Sequence, residues 1–217
     1  SPLLANLLLD ELDRELERRQ HRFVRYADDC NIYVRSRRAG ERVLASLKHF
    51  LEKRLKLNVN EQKSAVDRPW KRRLLGFTFS TGRHQYRRGI SEKAIDALKD
   101  NVRRLTQRTR GYSLSQIIKE LRETLLGWKA YFGIAEVLSP LRDIDKWIRR
   151  KLRCYHWKQW GRAGYRELRR RGVSVREAWN TSESAHGPWR LSTTPALTVA
   201  LPARHFSSLG LPSLAAR

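Results

Sequence analysis

Phe23-Val24-Arg25-Tyr26-Ala27-Asp28-Asp29-Cys30-Asn31-Ile32-Tyr33-Val34 is the stretch around which the rest of the chain falls into place. Aromatic and β-branched residues alternate with polar ones on both sides of a short centre, as in two strands joined by a tight turn. Ala27-Asp28-Asp29 lies at or near the bend. Asp is a favoured turn residue, so a solvated Asp-Asp turn is the plain reading. Two adjacent carboxylates at the tip of an otherwise apolar hairpin are nevertheless costly unless a positive group sits beside them.

The hairpin belongs to a chain of 217 residues, enough for one good core or two small ones. Hydrophobic residues make up 40%, which marks a folding sequence. Lys and Arg outnumber Asp and Glu by 46 to 22, and the pI is about 11.1. A net charge of +24 points to a polyanionic partner bound in a salt-dependent way, without separating RNA from DNA or from a membrane surface. No apolar run reaches the roughly 18 residues that a spanning helix needs. The apolar stretch 3–9 is followed by acids and lacks a basic leader, so it does not read as a signal peptide. Cys30 and Cys154 are far apart, outside any Cys-x-x-Cys or zinc spacing with the six histidines, and read as reduced thiols of a cytoplasmic protein. Methionine is absent and the chain begins Ser1-Pro2, which reads as a fragment or a processed piece.

Upstream of the hairpin, Leu4, Leu8, Leu12 and Leu16 give a helix over 3–19, with Asp10, Glu11, Asp13, Arg14 and Glu17 on the other face. Downstream, Val43, Leu47, Phe50 or Leu51, and Leu55 share one face of a second helix over 39–55. Residues 56–66 read as strand–turn–strand, and 74–80 as a strand with Gly76 inside it, marking a bulge or a close backbone approach. Residues 81–89, with Gly82, Gly89 and several basic residues, read as a boundary. Beyond it the pattern is helical. Ser91 caps a helix carrying Ile95, Leu98, Val102 and Leu105; Ser113 or Ser115 opens one with Ile118, Leu121, Leu125, Trp128 and Phe132. Ser139, with Pro140 after it, caps a third with Leu141, Ile144, Ile148, Leu152 and Tyr155. Between Lys99 and Arg176 there are 21 Lys and Arg against 7 Asp and Glu, so this part binds something anionic. Its aromatics, Trp128, Tyr131, Phe132, Trp147, Tyr155 and Trp157, are read mostly as core, with base stacking open to some of them. Arg149, Arg150, Lys151 and Arg153, with Lys129, are the candidate phosphate contacts. Residues 180–217 are rich in Ser, Thr, Pro and Gly and by composition read as a poorly ordered tail.

Two motifs carry a resemblance. Tyr26-Ala27-Asp28-Asp29 between apolar strands is similar to the metal-binding hairpin of reverse transcriptases. Leu126-Gly127-Trp128-Lys129-Ala130-Tyr131-Phe132, followed by Trp147-Ile148-Arg149-Arg150-Lys151, resembles the maturase-specific region, domain X, of group II intron-encoded reverse transcriptase–maturases. Gly187-Pro188-Trp189-Arg190 and the segment 208–214 resemble the ending of a bacterial branch of that family. The resemblance implies an α+β fold: a partial right-hand polymerase palm of helix, β-hairpin, helix and strands, then an all-α thumb or maturase region. Its domains would be 1–80 (palm), 81–90 (linker), 91–179 (domain X) and 180–217 (C-terminal extension).

The same resemblance implies an RNA-directed DNA polymerase and an intron-RNA-binding maturase active in splicing and mobility. Asp28 and Asp29 would be catalytic ligands of two Mg²⁺ ions, completed by an upstream aspartate that this sequence lacks. Tyr26, Ala27, Lys63 and Gly76 would meet nucleotide or primer, and the segment 74–79 would be the primer-grip hairpin. The implied partners are group II intron RNA, an RNA template with a DNA primer, and dNTPs. A homodimer is compatible with it, a membrane is not a partner, and the setting is a bacterial, nucleoid-associated ribonucleoprotein. In the family, a segment like Ser1–Asn6 follows a Gly-Gly nucleotide loop, so the piece is expected to polymerise weakly or not at all alone. Two other readings stand beside this one: an RNA-binding splicing factor without polymerase activity, and another reverse transcriptase type such as a retron or CRISPR-associated enzyme. The pattern around Trp128 and the 187–190 ending argue against the latter.

Overall fold

Leucines four residues apart, with acids between them, fold the first segment as helix α1 (Pro2–Arg18). The structure, a computed structural model, describes residues 2–81 and 85–216. They form two compact units, Ser1–Thr81 and Gly82–Arg217.

In the first unit, α1 is followed by strands β1 (Arg22–Tyr26) and β2 (Asp29–Tyr33), and then by α2 (Arg37–Lys53). The two strands pair antiparallel, with Phe23 opposite Ile32, Arg25 opposite Cys30 and Tyr26 opposite Asp29. Because side chains alternate along a strand, Phe23, Arg25, Cys30 and Ile32 share one face. That face packs on a core of Leu12, Leu16, Leu47 and Leu55, joined by Val43, Phe50 and Leu51 of α2. Only the C-terminal half of the α1 stripe is covered: Leu12 and Leu16 are buried, whereas Leu3, Leu4 and Leu7 are 69%, 67% and 63% exposed. Ser36 caps α2 by accepting a hydrogen bond from the Ala39 N–H at 3.2 Å.

Two expectations for this unit need correcting. Residues 56–66 form no strands. The Leu57 N–H turns back to the Leu51 carbonyl at the end of α2 (2.9 Å), and Asn60 captures the Lys63 N–H with both its carbonyl and its side chain (3.2 and 3.1 Å). Those main-chain groups are then not free for a ladder. Gly76 lies in a turn, not inside a strand: Leu75 and Gly76 have φ of 53° and 80°, and Leu74 and Phe77 bond across them. Positive φ at both central residues is what a tight hairpin turn demands, and glycine meets it without strain. β3 begins only after it (Phe77–Thr81).

The second unit opens with β4 (Tyr86–Ile90), so the segment read as a linker over 81–90 is partly strand; residues 82–84 lie outside the described residues. Three long helices follow: α3 (Glu92–Leu105), α4 (Leu114–Phe132) and α5 (Ser139–Trp160). Ser91 and Ser113 cap the first two through the Ala94 and Gln116 N–H groups. Ser139 does not cap α5. It is already helical, Leu138 holds the cap position without a side-chain bond, and Pro140 supplies the preset φ of a first turn.

The C-terminal part is not a loose tail. Helices α6 (Gly164–Arg170), α7 (Val175–Ser182), α8 (Pro188–Leu191), α9 (Pro195–Ala200) and α10 (Ala203–Ser208) fold back on the long helices. Leu197, Leu201 and Phe206 are as fully buried as Ile117, Leu121 and Leu152. Regularly spaced apolar residues separated by Ser, Thr and Pro encode short capped helices: Thr194 caps α9, and Pro195 starts it. The end of the chain is anchored on a buried carboxylate. Asp145, 5% exposed, accepts from Ser213 Oγ (2.6 Å) and from the Leu214 and Ala215 N–H groups (3.0 and 3.2 Å). No helix among the described residues is long and apolar enough to cross a membrane.

Asp145→Ala leaves those donors without their acceptor inside the protein. It is expected to destabilise the helical unit by about 3 kcal/mol in urea unfolding and to raise amide exchange over residues 210–216. Unchanged exchange there would remove the anchoring role.

Candidate active site and nucleic-acid interface

The hairpin tip is built by a charge placed on the wrong side of a strand. Arg25 falls on the core-facing side of β1, two residues after Phe23. Its guanidinium meets Asp13 of α1 in a two-pronged pair, Nε to Oδ1 at 2.8 Å and Nη2 to Oδ2 at 2.5 Å. Nη1 donates to Asn6 Oδ1 (3.0 Å) and to the Ala27 carbonyl (2.9 Å). One side chain thus ties α1 to the turn. Arg25 and Asp13 side chains are only 13% and 24% exposed, so the pair is partly shielded from water. Pairing with Asp13 raises the Arg25 guanidinium above its ordinary value, against the opposing effect of burial. Opposite it, burial pushes the Cys30 thiol up to about 11, which leaves that cysteine protonated and unreactive.

Ala27, first residue of the two-residue turn, has φ 52°. A left-handed alanine is strained by about 1–2 kcal/mol and persists where its surroundings fix it. Here the fixing group is Arg25, which holds the Ala27 carbonyl. The turn presents Asp28 and Asp29 to solvent, and among the described residues neither carboxylate has a hydrogen-bond or ion-pair partner. Tyr26, 61% exposed, stands on the outer face of the hairpin with Val24 and Tyr33. Two free, adjacent carboxylates on a braced turn are hard oxygen donors of the kind magnesium takes. Among the described residues no third His, Cys, Asp or Glu joins them in a cluster.

Of the predicted nucleotide and primer residues, Tyr26 and Ala27 are at this tip. Lys63 lies in the turn made by Asn60, and Gly76 in the separate turn after Leu74. Neither makes a hydrogen bond to the tip among the described residues. Arg25 and Asp13 are the contributors that reading the sequence passed over. The signal was present: a charged residue at an inward strand position, with an acid on the preceding helix.

The predicted RNA-contacting cations divide differently from expectation. Arg150 lies 3.8 Å above the Trp189 ring, with Nε toward Ser192 Oγ (3.3 Å) and Nη2 on the Trp189 carbonyl (3.2 Å). Arg153 donates to the Leu201 carbonyl (3.0 Å) and Lys129 to the Ser213 carbonyl (3.1 Å). Lys151 sits near the Trp147 and Trp189 rings, where burial lowers its ammonium below the usual lysine value. These four hold the C-terminal segment in place. Arg149 alone of the group has no hydrogen-bond, ion-pair or cation–π partner among the described residues. Among the aromatics, Tyr155 and Phe132 are core, whereas Tyr131 is 52% exposed.

The sequence profile of reverse transcriptase (RNA-dependent DNA polymerase) matches residues 1–79, and that of the group II intron maturase-specific domain matches residues 95–173. The chain belongs to the group II intron reverse transcriptase–maturase family. A comparison with curated proteins gives no match. The first unit therefore carries the reverse transcriptase part and the helical unit the maturase part, the pairing that serves RNA-directed DNA synthesis and the splicing and mobility of group II introns. In this maturase the short helices after residue 173 lie outside both profiles.

Arg25→Ala removes the brace. The first unit should lose about 1–3 kcal/mol in chemical denaturation. Ala27→Gly should gain about 1 kcal/mol, since glycine adopts the turn without strain. A loss with Ala27→Gly would contradict the strained turn.

Proposed function

We propose that Asp28 and Asp29 are the divalent-metal ligands that this maturase contributes to nucleotide addition on a DNA primer annealed to RNA. The observation that carries the reading is the braced turn: two carboxylates without partners among the described residues, held outward in a chain of net charge +24, where a cation would usually be found beside an acid. The donor set fits magnesium, because ionised carboxylates are its preferred protein ligands and it keeps several waters besides. Bound there, magnesium supplies charge neutralisation at the triphosphate and a lowered pKa at the primer hydroxyl. Arg25 acts on geometry: it keeps the Ala27 carbonyl, and with it the two carboxylates, in one orientation. Tyr26, on the same outer face as Asp29, offers its ring to the primer or the incoming nucleotide. Lys63 and Gly76 are proposed for phosphate and primer contact on the family resemblance of their segments; among the described residues neither bonds to the tip.

Group II intron RNA is the proposed partner of the helical unit, with Arg149 and Tyr131 as its contributors from the domain X motif. Arg150, Lys151, Arg153 and Lys129 support that surface indirectly, by fixing the C-terminal helices. The implied setting is a nucleoid-associated ribonucleoprotein.

In a preparation that extends a DNA primer on an RNA template, Asp28→Asn should lower kcat by about 10³-fold or more, with the RNA Kd within about twofold. Retained extension would sink the ligand assignment. A matching loss of RNA affinity would mean the hairpin serves RNA binding and not metal.

A further inference from the structure

Several lysines of the chain have an acceptor at hand: Lys48, Lys99 and Lys146 pair with carboxylates, and Lys129 donates to the Ser213 carbonyl. Lys151 differs. It stands one turn after Trp147 on α5, so the two side chains share a helix face. Its Nζ lies 5.6 Å from the Trp147 ring centroid and 5.2 Å from that of Trp189 on α8. The other charges stacked on these rings are also positive: Arg103 of α3 stands 5.6 Å over Trp147, and Arg150 stands 3.8 Å over Trp189. Asp100 is taken up by Arg103. Lys151 itself makes no hydrogen bond or ion pair among the described residues. Its side chain is half-buried, yet Nζ is not one of the fully buried nitrogens left without a partner, so solvent and small solutes reach it.

An amine between two indoles and two guanidinium groups, with no acid beside it, loses its proton more readily than one in water. Burial, reinforced by the charges of Arg103 and Arg108, lowers the Lys151 ammonium, against the opposing effect of Cys154. At neutral pH a larger share of it is therefore free amine, the nucleophilic form. Cys154, one turn further along α5, does not compete for an electrophile: it is buried, and burial pushes its thiol up. The surrounding cations favour an electrophile with an anionic leaving group. Acylation would turn the ammonium into a neutral amide and so remove its attraction to both rings. Trp189 would then be held by Arg150 alone.

We infer that Lys151 is an acylation site that reacts with small acyl phosphates, and that its modification loosens α8 on α5. The Nζ lone pair attacks the acyl carbonyl, the carbon–oxygen bond to phosphate breaks, phosphate leaves with the electron pair, and the amine proton passes to water. The inference does not depend on what the helical unit binds.

The test exposes the whole chain to acetyl phosphate at pH 7 and follows each lysine by peptide mass spectrometry. Lys151 is expected to be acetylated about fivefold faster than Lys158, an exposed lysine of the same helix. The advantage should shrink in Arg108→Gln, which removes one of the charges acting on Lys151, and vanish in urea. Amide exchange over residues 188–192 should rise about threefold in the acetylated chain and in Lys151→Gln. It should stay at the wild-type level in Lys151→Arg, which keeps the charge, even after acetyl phosphate treatment. Lys151 reacting no faster than Lys158, or keeping its advantage in urea, overturns the site. Exchange that rises equally in treated wild type and treated Lys151→Arg overturns the loosening of α8.

Discussion

A single guanidinium under a turn organises the first unit. Arg25 lies where a strand residue ought to be apolar, and its burial is tolerable only because Asp13 neutralises it and Asn6 and the Ala27 carbonyl take its remaining donors. Each of those partners has a structural consequence. Asp13 and Asn6 fix α1 against the hairpin, and the carbonyl fixes a turn that alanine would otherwise avoid. The free carboxylates at the tip are therefore held by groups that do not touch them. A salt bridge of this kind is weak evidence for stability but a good device for geometry, since it makes one arrangement of helix and turn much better than its neighbours.

The helical unit treats its positive charge in a similar way. Arg122, Lys129, Arg150 and Arg153 each donate to a main-chain carbonyl of the segment 189–213. Carbonyls at the ends of short helices lack intrahelical partners, and long cationic side chains reach them readily. Part of the +24 is thus committed to folding the C-terminal helices, and the surface available to a polyanion is smaller than the net charge suggests.

How much was legible in the sequence follows from the range of the interactions. The hairpin, the long helices and two of the three predicted serine caps depend on neighbours a few residues apart, and they stand as read. Gly76 reads as a bulge or a close approach inside a strand because its turn partner is Leu75, and leucine carries no signal for positive φ. Residues 56–66 alternate like strands, but Asn60 and the end of α2 take their main-chain hydrogen bonds. The structural bonds of Arg150 and Arg153 were not legible for a longer-range reason: their acceptors lie about forty or more residues away, on a stretch that composition marks as loose. The Asp28–Asp29 pair was visible at once, whereas its brace was not, because a salt bridge between α1 and β1 leaves no local pattern beyond one misplaced charge.

The most direct measurement of the central claim is a titration of the isotope-labelled chain with Mn²⁺, read as paramagnetic broadening of backbone amides. Broadening that starts at residues 26–30, is displaced by excess Mg²⁺ and spreads no further at low occupancy is the predicted result. Broadening scattered over other acids, or none at the hairpin before nonspecific binding sets in, would contradict it.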